Sequence, residues 1–236
     1  PVYRELLFDT ETAVSAYLKL ARPPFGFLLE SVVGGETWAR YTFLGSEPRA
    51  AWRLVGRRID TWTEESGWSV GQESADPLGD LDALLRVHTP ADLPGLPRFW
   101  GGAVGFFGYD IVRQIERLPN SPPDRLGLPD ALVLLTGAVV AIDNLFGRAQ
   151  IIVGVDTRDA DATELRRRYE QAEVEIDRLI ARLREAPGPQ PLDLPRAPTS
   201  DPDFASTSTR AEYEESVRRI QEYIAAGDAF QVVLSQ

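Results

Sequence analysis

The chain has 236 residues, of which 43% are hydrophobic and 26% charged, and its formal net charge is −11 at pH 7. It contains no cysteine, which excludes disulfides, thiolate nucleophiles and cysteine-ligated metals. The excess of acid disfavours nucleic acid and anionic membrane surfaces as partners, and no apolar run approaches the roughly 20 residues that a bilayer requires. We therefore expect a cytoplasmic globular protein of one large or two small domains.

The first third of the chain predicts one helix followed by short strands. Apolar residues between positions 12 and 20 have the spacing of a short amphipathic helix. Four apolar stretches broken by turn residues then predict strands at residues 25–33, 41–44, 50–55 and 59–62, with a turn at Gly34–Gly35.

The middle of the chain predicts a helix over residues 78–87 and then a strand hairpin. Residues 131–142 and 149–155 are rich in valine, isoleucine and leucine, which is typical of central strands. Residues 143–147 between them have the turn composition of a tight hairpin.

The last third predicts two helices. Apolar residues recur every three or four positions from Leu165 to Leu183, and residues 187–202 are too rich in proline for regular structure. Thr209 and Glu212 form a capping-box pattern, and Gly227 is a helix stop. The stripe of Tyr213, Val217, Ile220 and Ile224 is predicted to be buried, and residues 229–234 to form a strand. Antiparallel strands with separated helices indicate an α+β fold.

A glycine-rich segment, residues 101–110, invites comparison with nucleotide-binding loops. Gly102, Gly105 and Gly108 are spaced at three and miss the dinucleotide pattern, and no lysine with serine or threonine follows. We interpret the glycines as points of close backbone packing and Phe106, Phe107 and Tyr109 as core aromatics.

His88 is the only histidine, so it cannot anchor a usual zinc site with cysteine absent. It lies at a predicted helix end, where the helix dipole favours a cationic side chain.

Glu30 and Ser31 form the most informative polar pair. They follow an apolar run predicted to lie in a sheet, where an acid and a hydroxyl are costly unless they are paired. If the following strand forms a hairpin, Arg40 comes alongside. An acid can hold an ammonium and an arginine a carboxylate, which is the chemistry of an amino-acid pocket. The alternative is an internal Glu30–Arg40 ion pair with no ligand.

Four segments together resemble the first half of anthranilate synthase component I. Leu28–Ser31 resembles the tryptophan-binding signature of that family, and Arg40–Gly45 is similar to the strand that follows it. Residues 101–110 resemble its glycine–aromatic segment, and residues 227–236 resemble its entry into the chorismate-binding region. With no methionine and a strand-like C-terminus, we expect an N-terminal fragment with a truncated α+β sandwich of antiparallel sheets and helices.

The resemblance implies an enzyme that converts chorismate and ammonia into anthranilate and pyruvate with Mg²⁺. A glutamine amidotransferase subunit would supply the ammonia. The resemblance places the metal ligands and catalytic residues beyond this chain. No catalytic or metal site is therefore assigned here, and the fragment is expected to be inactive. Residues 1–186 would be a regulatory domain, 187–203 a linker, and 204–236 the start of the chorismate-binding domain.

The site implied for this chain is that of the feedback inhibitor L-tryptophan. Ser31 would hydrogen-bond the polar end of the amino acid, Glu30 would contact its ammonium, and Leu29 would wall the indole. Arg40 and Tyr41 would complete this part of the pocket.

Three alternatives remain at this stage. The first is the large subunit of aminodeoxychorismate synthase, in which asparagine tends to stand where Val233 stands here, a difference that favours the anthranilate branch. The second is a stand-alone amino-acid-binding module. The third is a structural domain in which Glu30 pairs with Arg40 and nothing binds.

Overall fold

A computed structural model describes residues 1–31, 40–185, 188, 190, 193 and 203–235. The chain forms two compact units, Pro1–Gln190 and Pro191–Gln236. Both the predicted turn at Gly34–Gly35 and most of the predicted linker lie outside the described residues. None of the helices in the described ranges combines the length and the apolar character needed to cross a bilayer.

In the described residues of the first unit there are two antiparallel sheets, three α-helices and a short 3-10 helix. The strands are β1 Val2–Leu7, β2 Gly26–Leu29, β3 Tyr41–Ser46, β4 Ala50–Val55, β5 Arg58–Thr63, β6 Gly67–Trp68, β7 Gln72–Glu73, β8 Ala103–Phe107, β9 Ala131–Leu135, β10 Ala138–Asp143 and β11 Arg148–Val153. The helices are α1 Ala13–Leu20, α2 Pro77–Arg86, the 3-10 helix Tyr109–Gln114 and α3 Ala162–Glu185. The predicted α+β class with antiparallel sheets is confirmed.

One sheet has five strands in the order β1-β11-β10-β3-β2, and the other has six, with β6-β5-β4-β9-β8 in line and β7 beside β5. The predicted hairpin is confirmed as β10 and β11, which pair in antiparallel register and lie inside the five-stranded sheet. The rings of Phe25, next to β2, and Trp62 in β5 meet at 4.9 Å between centroids, which joins the two sheets there.

The prediction of one strand over residues 131–142 is wrong. The chain breaks at Thr136–Gly137, so that β9 belongs to the six-stranded sheet and β10 to the five-stranded one. Thr136 is nonetheless buried, and a Cβ on Gly137 would lie 2.7 Å from the carbonyl oxygen of Glu47. A single Thr–Gly step inside a long apolar run is a weak loop signal, so the sequence looks like one continuous strand.

Helices α1 and α3 cover one face of the five-stranded sheet, as the predicted stripes require. Their apolar side chains form one core with the strand residues Leu44, Val140, Ile142, Ala149 and Ile151. Thr12 caps α1 in a reciprocal box with Ser15. At the far end of β3, the Glu47 carboxylate accepts from Arg178 at 2.9 Å and Arg182 at 2.7 Å, which ties α3 to the sheet.

The six-stranded sheet packs its core residues Trp52, Leu54, Ala131 and Val133 with Leu81 of α2. Asp76 caps α2 and Pro77 occupies its first turn, as these residue types favour.

The glycine-rich segment is partly as predicted. A Cβ on Gly105 of β8 would lie 1.9 Å from the carbonyl oxygen of Leu132, so the expected close packing is confirmed. The interpretation of Phe106, Phe107 and Tyr109 as core aromatics is wrong, since they are 44%, 56% and 90% exposed. β8 is the outermost strand of its sheet, so the described residues offer nothing that covers these rings.

The second unit contains α4, Arg210–Ala226, with the predicted capping box between Thr209 and Glu212 and the left-handed stop at Gly227. The predicted burial of its apolar stripe is wrong, because no residue of α4 is buried. Residues 229–234 form no strand, because a strand needs a ladder partner and the described residues of this unit provide none.

Candidate functional site

The predicted pairing of the two strands around the candidate site is confirmed. β2 and β3 run antiparallel, with Leu29 opposite Phe43 and Gly26 opposite Ser46. Leu29 ends β2, and Glu30 and Ser31 continue past the sheet. Residues 32–39, which connect Ser31 to Arg40, lie outside the described part of the chain.

Glu30 and Ser31 are not buried, contrary to the expectation for a strand end within a sheet. Both are exposed, and the Leu29 side chain is 45% exposed. β2 is the outermost strand of its sheet, so its end is open to solvent. Within the described ranges, neither Glu30 nor Ser31 hydrogen-bonds to Arg40, and the alternative of an internal Glu30–Arg40 pair does not form.

Arg40 pairs instead with Asp143, at the end of β10. Its Nε donates to both carboxylate oxygens at 3.1 Å, and its Nη2 donates to Oδ2 at 2.5 Å. The guanidinium also lies over the rings of Tyr41 and Phe146, at 4.9 and 5.0 Å from their centroids. A two-point pair between aromatic faces fixes the orientation of this arginine.

Burial and hydrogen bonding act in opposite directions on the pKa of the Asp143 carboxyl group. Burial alone would raise the pKa of Asp143, but the hydrogen bonds and charge of Arg40, with backbone N–H groups of the turn, lower it overall. Burial first, and the Asp143 charge second, raise the pKa of Tyr41. At neutral pH the site therefore contains a carboxylate, a guanidinium and an uncharged phenol.

An aromatic row continues from this polar end along the sheet. Tyr41 and Phe43 stack with their centroids 5.9 Å apart, and Phe43 meets Phe99 edge to face at 5.3 Å. Leu29 is the ladder neighbour of Phe43. The site thus combines charged groups with an apolar wall, which is the surface that an amino acid with a large apolar side chain requires.

Sequence reasoning missed Asp143, Phe43 and Phe99 as site residues. Asp143 was predicted only as part of a hairpin turn, and it is 103 residues from Arg40 in the chain. Phe43 was assigned only to a strand.

A separate cavity of about 630 Å³ lies elsewhere in the first unit. It is lined by the loop after α2, including His88, by Phe99 and Trp100, and by the crossover from β9 to β10. His88 follows α2, close to its predicted position at a helix end. Apart from Phe99, which touches Phe43, this cavity has no part in the candidate site. Within the described residues, no group of three or more histidines, aspartates or glutamates could hold a metal ion.

Comparison with known proteins identifies the family. Residues 40–236 match the model of the chorismate binding enzymes. The matched residues make up well over half of this chain, which therefore belongs to the family of chorismate binding enzymes.

Two named relatives show a more specific similarity than the family match does. The chain is 43% identical over 240 aligned residues to anthranilate synthase component 1 of Pseudomonas putida, and 36% identical to that of Aquifex aeolicus. All of this chain aligns in both cases, with 47% of each relative. The chain therefore spans about half the length of the curated relatives it matches.

A solved structure agrees with this similarity at the level of fold. The crystal structure of anthranilate synthase component I from Streptococcus pneumoniae matches 97% of this chain and 46% of its own, with a TM-score of 0.57 and 22% sequence identity. At that identity, the match confirms the fold alone.

Proposed function

We propose that this chain is the N-terminal portion of a chorismate-utilising enzyme of the anthranilate synthase component I type. The observation that carries this proposal is the alignment of its full length, at 43% identity, with a protein of that name. The complete enzyme would convert chorismate and ammonia into anthranilate and pyruvate. A glutamine amidotransferase subunit would supply the ammonia, and Mg²⁺ would be bound by polypeptide outside this chain.

The role proposed for this chain is feedback regulation by L-tryptophan at the ends of β2 and β3. Ser31 and Glu30, both exposed at the open end of β2, would meet the polar end of the amino acid. Leu29 and Tyr41, with Phe43 between them on the sheet, would form an apolar wall for the indole. Arg40 would contribute positive charge, although its Nε and Nη2 are engaged by Asp143.

Inhibition would work through a difference in affinity between two arrangements of the complete enzyme. L-tryptophan can shift the equilibrium only as far as it prefers one arrangement over the other. The portion of the pocket on this chain is open to solvent, so we expect this chain alone to bind tryptophan weakly.

The test is inhibition of the complete enzyme carrying Ser31→Ala. We expect the tryptophan concentration for half inhibition to rise at least about tenfold, since a lost hydrogen bond to a charged ligand group costs about 1.5–3 kcal/mol. Ser121→Ala, in an exposed loop of the same unit, is the matched control and should leave inhibition unchanged. Unchanged inhibition in Ser31→Ala would remove Ser31 from the site.

A product assay on the same enzyme separates the two chorismate branches. Formation of anthranilate together with pyruvate supports the proposal. Formation of aminodeoxychorismate would move the protein to the folate branch and would leave the fold and family assignments intact.

A further inference from the structure

We propose that the turn between β10 and β11 is a positioning element for the effector site, and that Asp143 acts on that site through Arg40 without touching the ligand. This inference rests on the proposed function. It assigns a regulatory role to a turn that is remote in sequence from the residues expected to bind tryptophan.

Arg40 is already engaged by Asp143. A guanidinium binds a carboxylate most strongly through two parallel N–H groups, and two nitrogens of Arg40 already hold Asp143. The Asp143 side chain is 13% exposed, so withdrawing Arg40 towards a ligand would leave a largely buried charge without its partner. Removal of one member of such a pair is strongly unfavourable. Arg40 is therefore held in place and is not a free clamp for a ligand carboxylate.

The turn between β10 and β11 holds the start of β3 through its backbone as well. The N–H of Asn144 donates to the carbonyl oxygen of Arg40 at 2.9 Å. Its side-chain amide donates to the Thr42 hydroxyl at 3.1 Å. The Asp143 carboxylate also accepts from the N–H of Leu145 at 3.1 Å, which closes the turn upon itself. Asp143 and Asn144 thus hold Arg40 and Thr42, the residues on either side of Tyr41.

β3 in turn positions the strand that leads to the ligand-facing residues. β2 is the outermost strand, and β3 is its ladder neighbour. Leu29 is therefore positioned by its pairing with Phe43 of β3, and the exposed Glu30 and Ser31 follow it directly in the chain. A shift of Tyr41 after loss of the Asp143 pair would move the apolar wall relative to Ser31, so the affinity for the inhibitor would fall.

The test is Asp143→Asn in the complete enzyme, which keeps the size of the side chain and removes its charge. We expect the tryptophan concentration for half inhibition to rise about fivefold, as for residues that act on coupling without ligand contact. The KM for chorismate and kcat should stay within about twofold. The matched control is Asp156→Asn, because Asp156 likewise accepts from Nε and Nη2 of Arg158 in this unit but lies outside the site.

A double-mutant cycle tests whether Asp143 acts on the effector site through Arg40. Arg40→Gln combined with Asp143→Asn should weaken inhibition no more than Arg40→Gln alone, because Asp143 acts through Arg40. Asp143→Glu, which keeps the charge, should restore at least half of the lost sensitivity. Additive effects in the cycle would overturn the inference, as would an Asp143→Asn enzyme with normal inhibition.

The remaining outcomes separate this inference from the proposed function. If Ser31→Ala weakens inhibition and Asp143→Asn does not, the effector site stands and the positioning role fails. If neither variant affects inhibition, the proposed effector site on this chain fails, while the proposed activity is decided separately by the product assay. If Asp143→Asn lowers kcat, inhibition and melting temperature together, the pair is a stabilising contact only, and the positioning role is rejected.

Discussion

Two apolar parts of the first unit differ in how far the rest of the structure covers them. In the interior strands β10 and β11, Val139, Val140, Ile151 and Ile152 are all almost fully buried. In β8, at the edge of the other sheet, Phe106 and Phe107 are 44% and 56% exposed. The apolar character of a segment shows that covering it is favourable. Whether it is covered depends on a partner elsewhere in the structure.

The largest expected effect comes from removing side chain in the covered region. Ile151→Ala should lower the free energy of unfolding by about 2–5 kcal/mol, because it leaves a cavity in a close-packed core. Phe107→Ala should cost less than about 1 kcal/mol, since the ring is largely in solvent. Urea denaturation of both variants measures the difference. Ile151→Val, with an expected loss of about 0.5–1.5 kcal/mol, gives the graded control, and equal losses in Ile151→Ala and Phe107→Ala would contradict the comparison.

The second-largest effect is expected from a substitution that tests how closely the exposed strand β8 packs against β9. Gly105→Ala places a methyl group against the backbone of β9, 1.9 Å from the Leu132 carbonyl oxygen. Such overpacking should cost about 1–3 kcal/mol. Gly101→Ala is the matched control in the same segment, because its nearest neighbour is the Thr136 hydroxyl at 3.6 Å. Similar melting temperatures for the two variants would show that β8 packs loosely against β9.

The smallest effect concerns the ion pairs that hold α3 on the covered sheet. The side chain of Glu47 accepts from two arginines, and Glu47→Gln should cost about 1 kcal/mol at pH 7. Asp82→Asn, which breaks an exposed pair with Arg86 on α2, should have almost no effect. Thermal unfolding at fixed salt compares the two variants.

The Glu47 effect should also depend on pH. Burial acts to raise the pKa of Glu47, but the hydrogen bonds of Arg182 and Arg178 outweigh it and lower the pKa from its ordinary value of 4.5. A pKa depressed by folding contributes stability above the pKa of the unfolded state, and this contribution is lost as pH falls through the folded value. The difference between the native protein and Glu47→Gln should therefore be full at pH 7 and shrink below about pH 4. A difference that grows on acidification would exclude this origin.

Local signals explain what the sequence predicted well. The apolar spacing of residues 12–20, the capping box at Thr209 and the stop at Gly227 involve residues close in the chain, so these patterns suffice to predict helices α1 and α4. The stripe of α3 and the β10–β11 hairpin are equally local.

Non-local contacts explain which features of the structure the sequence did not predict. The burial of the α4 stripe and of Phe106 was predicted from apolarity alone, which does not show where the partner lies. The break between β9 and β10 is buried and looks like continuous strand. The pair of Arg40 with Asp143 joins positions 103 residues apart, so the sequence showed an arginine near Ser31 but not the acid that holds it.

The most direct test of the account is a crystal structure of the complete enzyme grown with L-tryptophan. We expect density for the amino acid against Leu29, Ser31 and Tyr41, with the two-point contact between Arg40 and Asp143 intact. Density at a different location, or an Arg40 that has left Asp143 to bind the tryptophan carboxylate, would contradict the account.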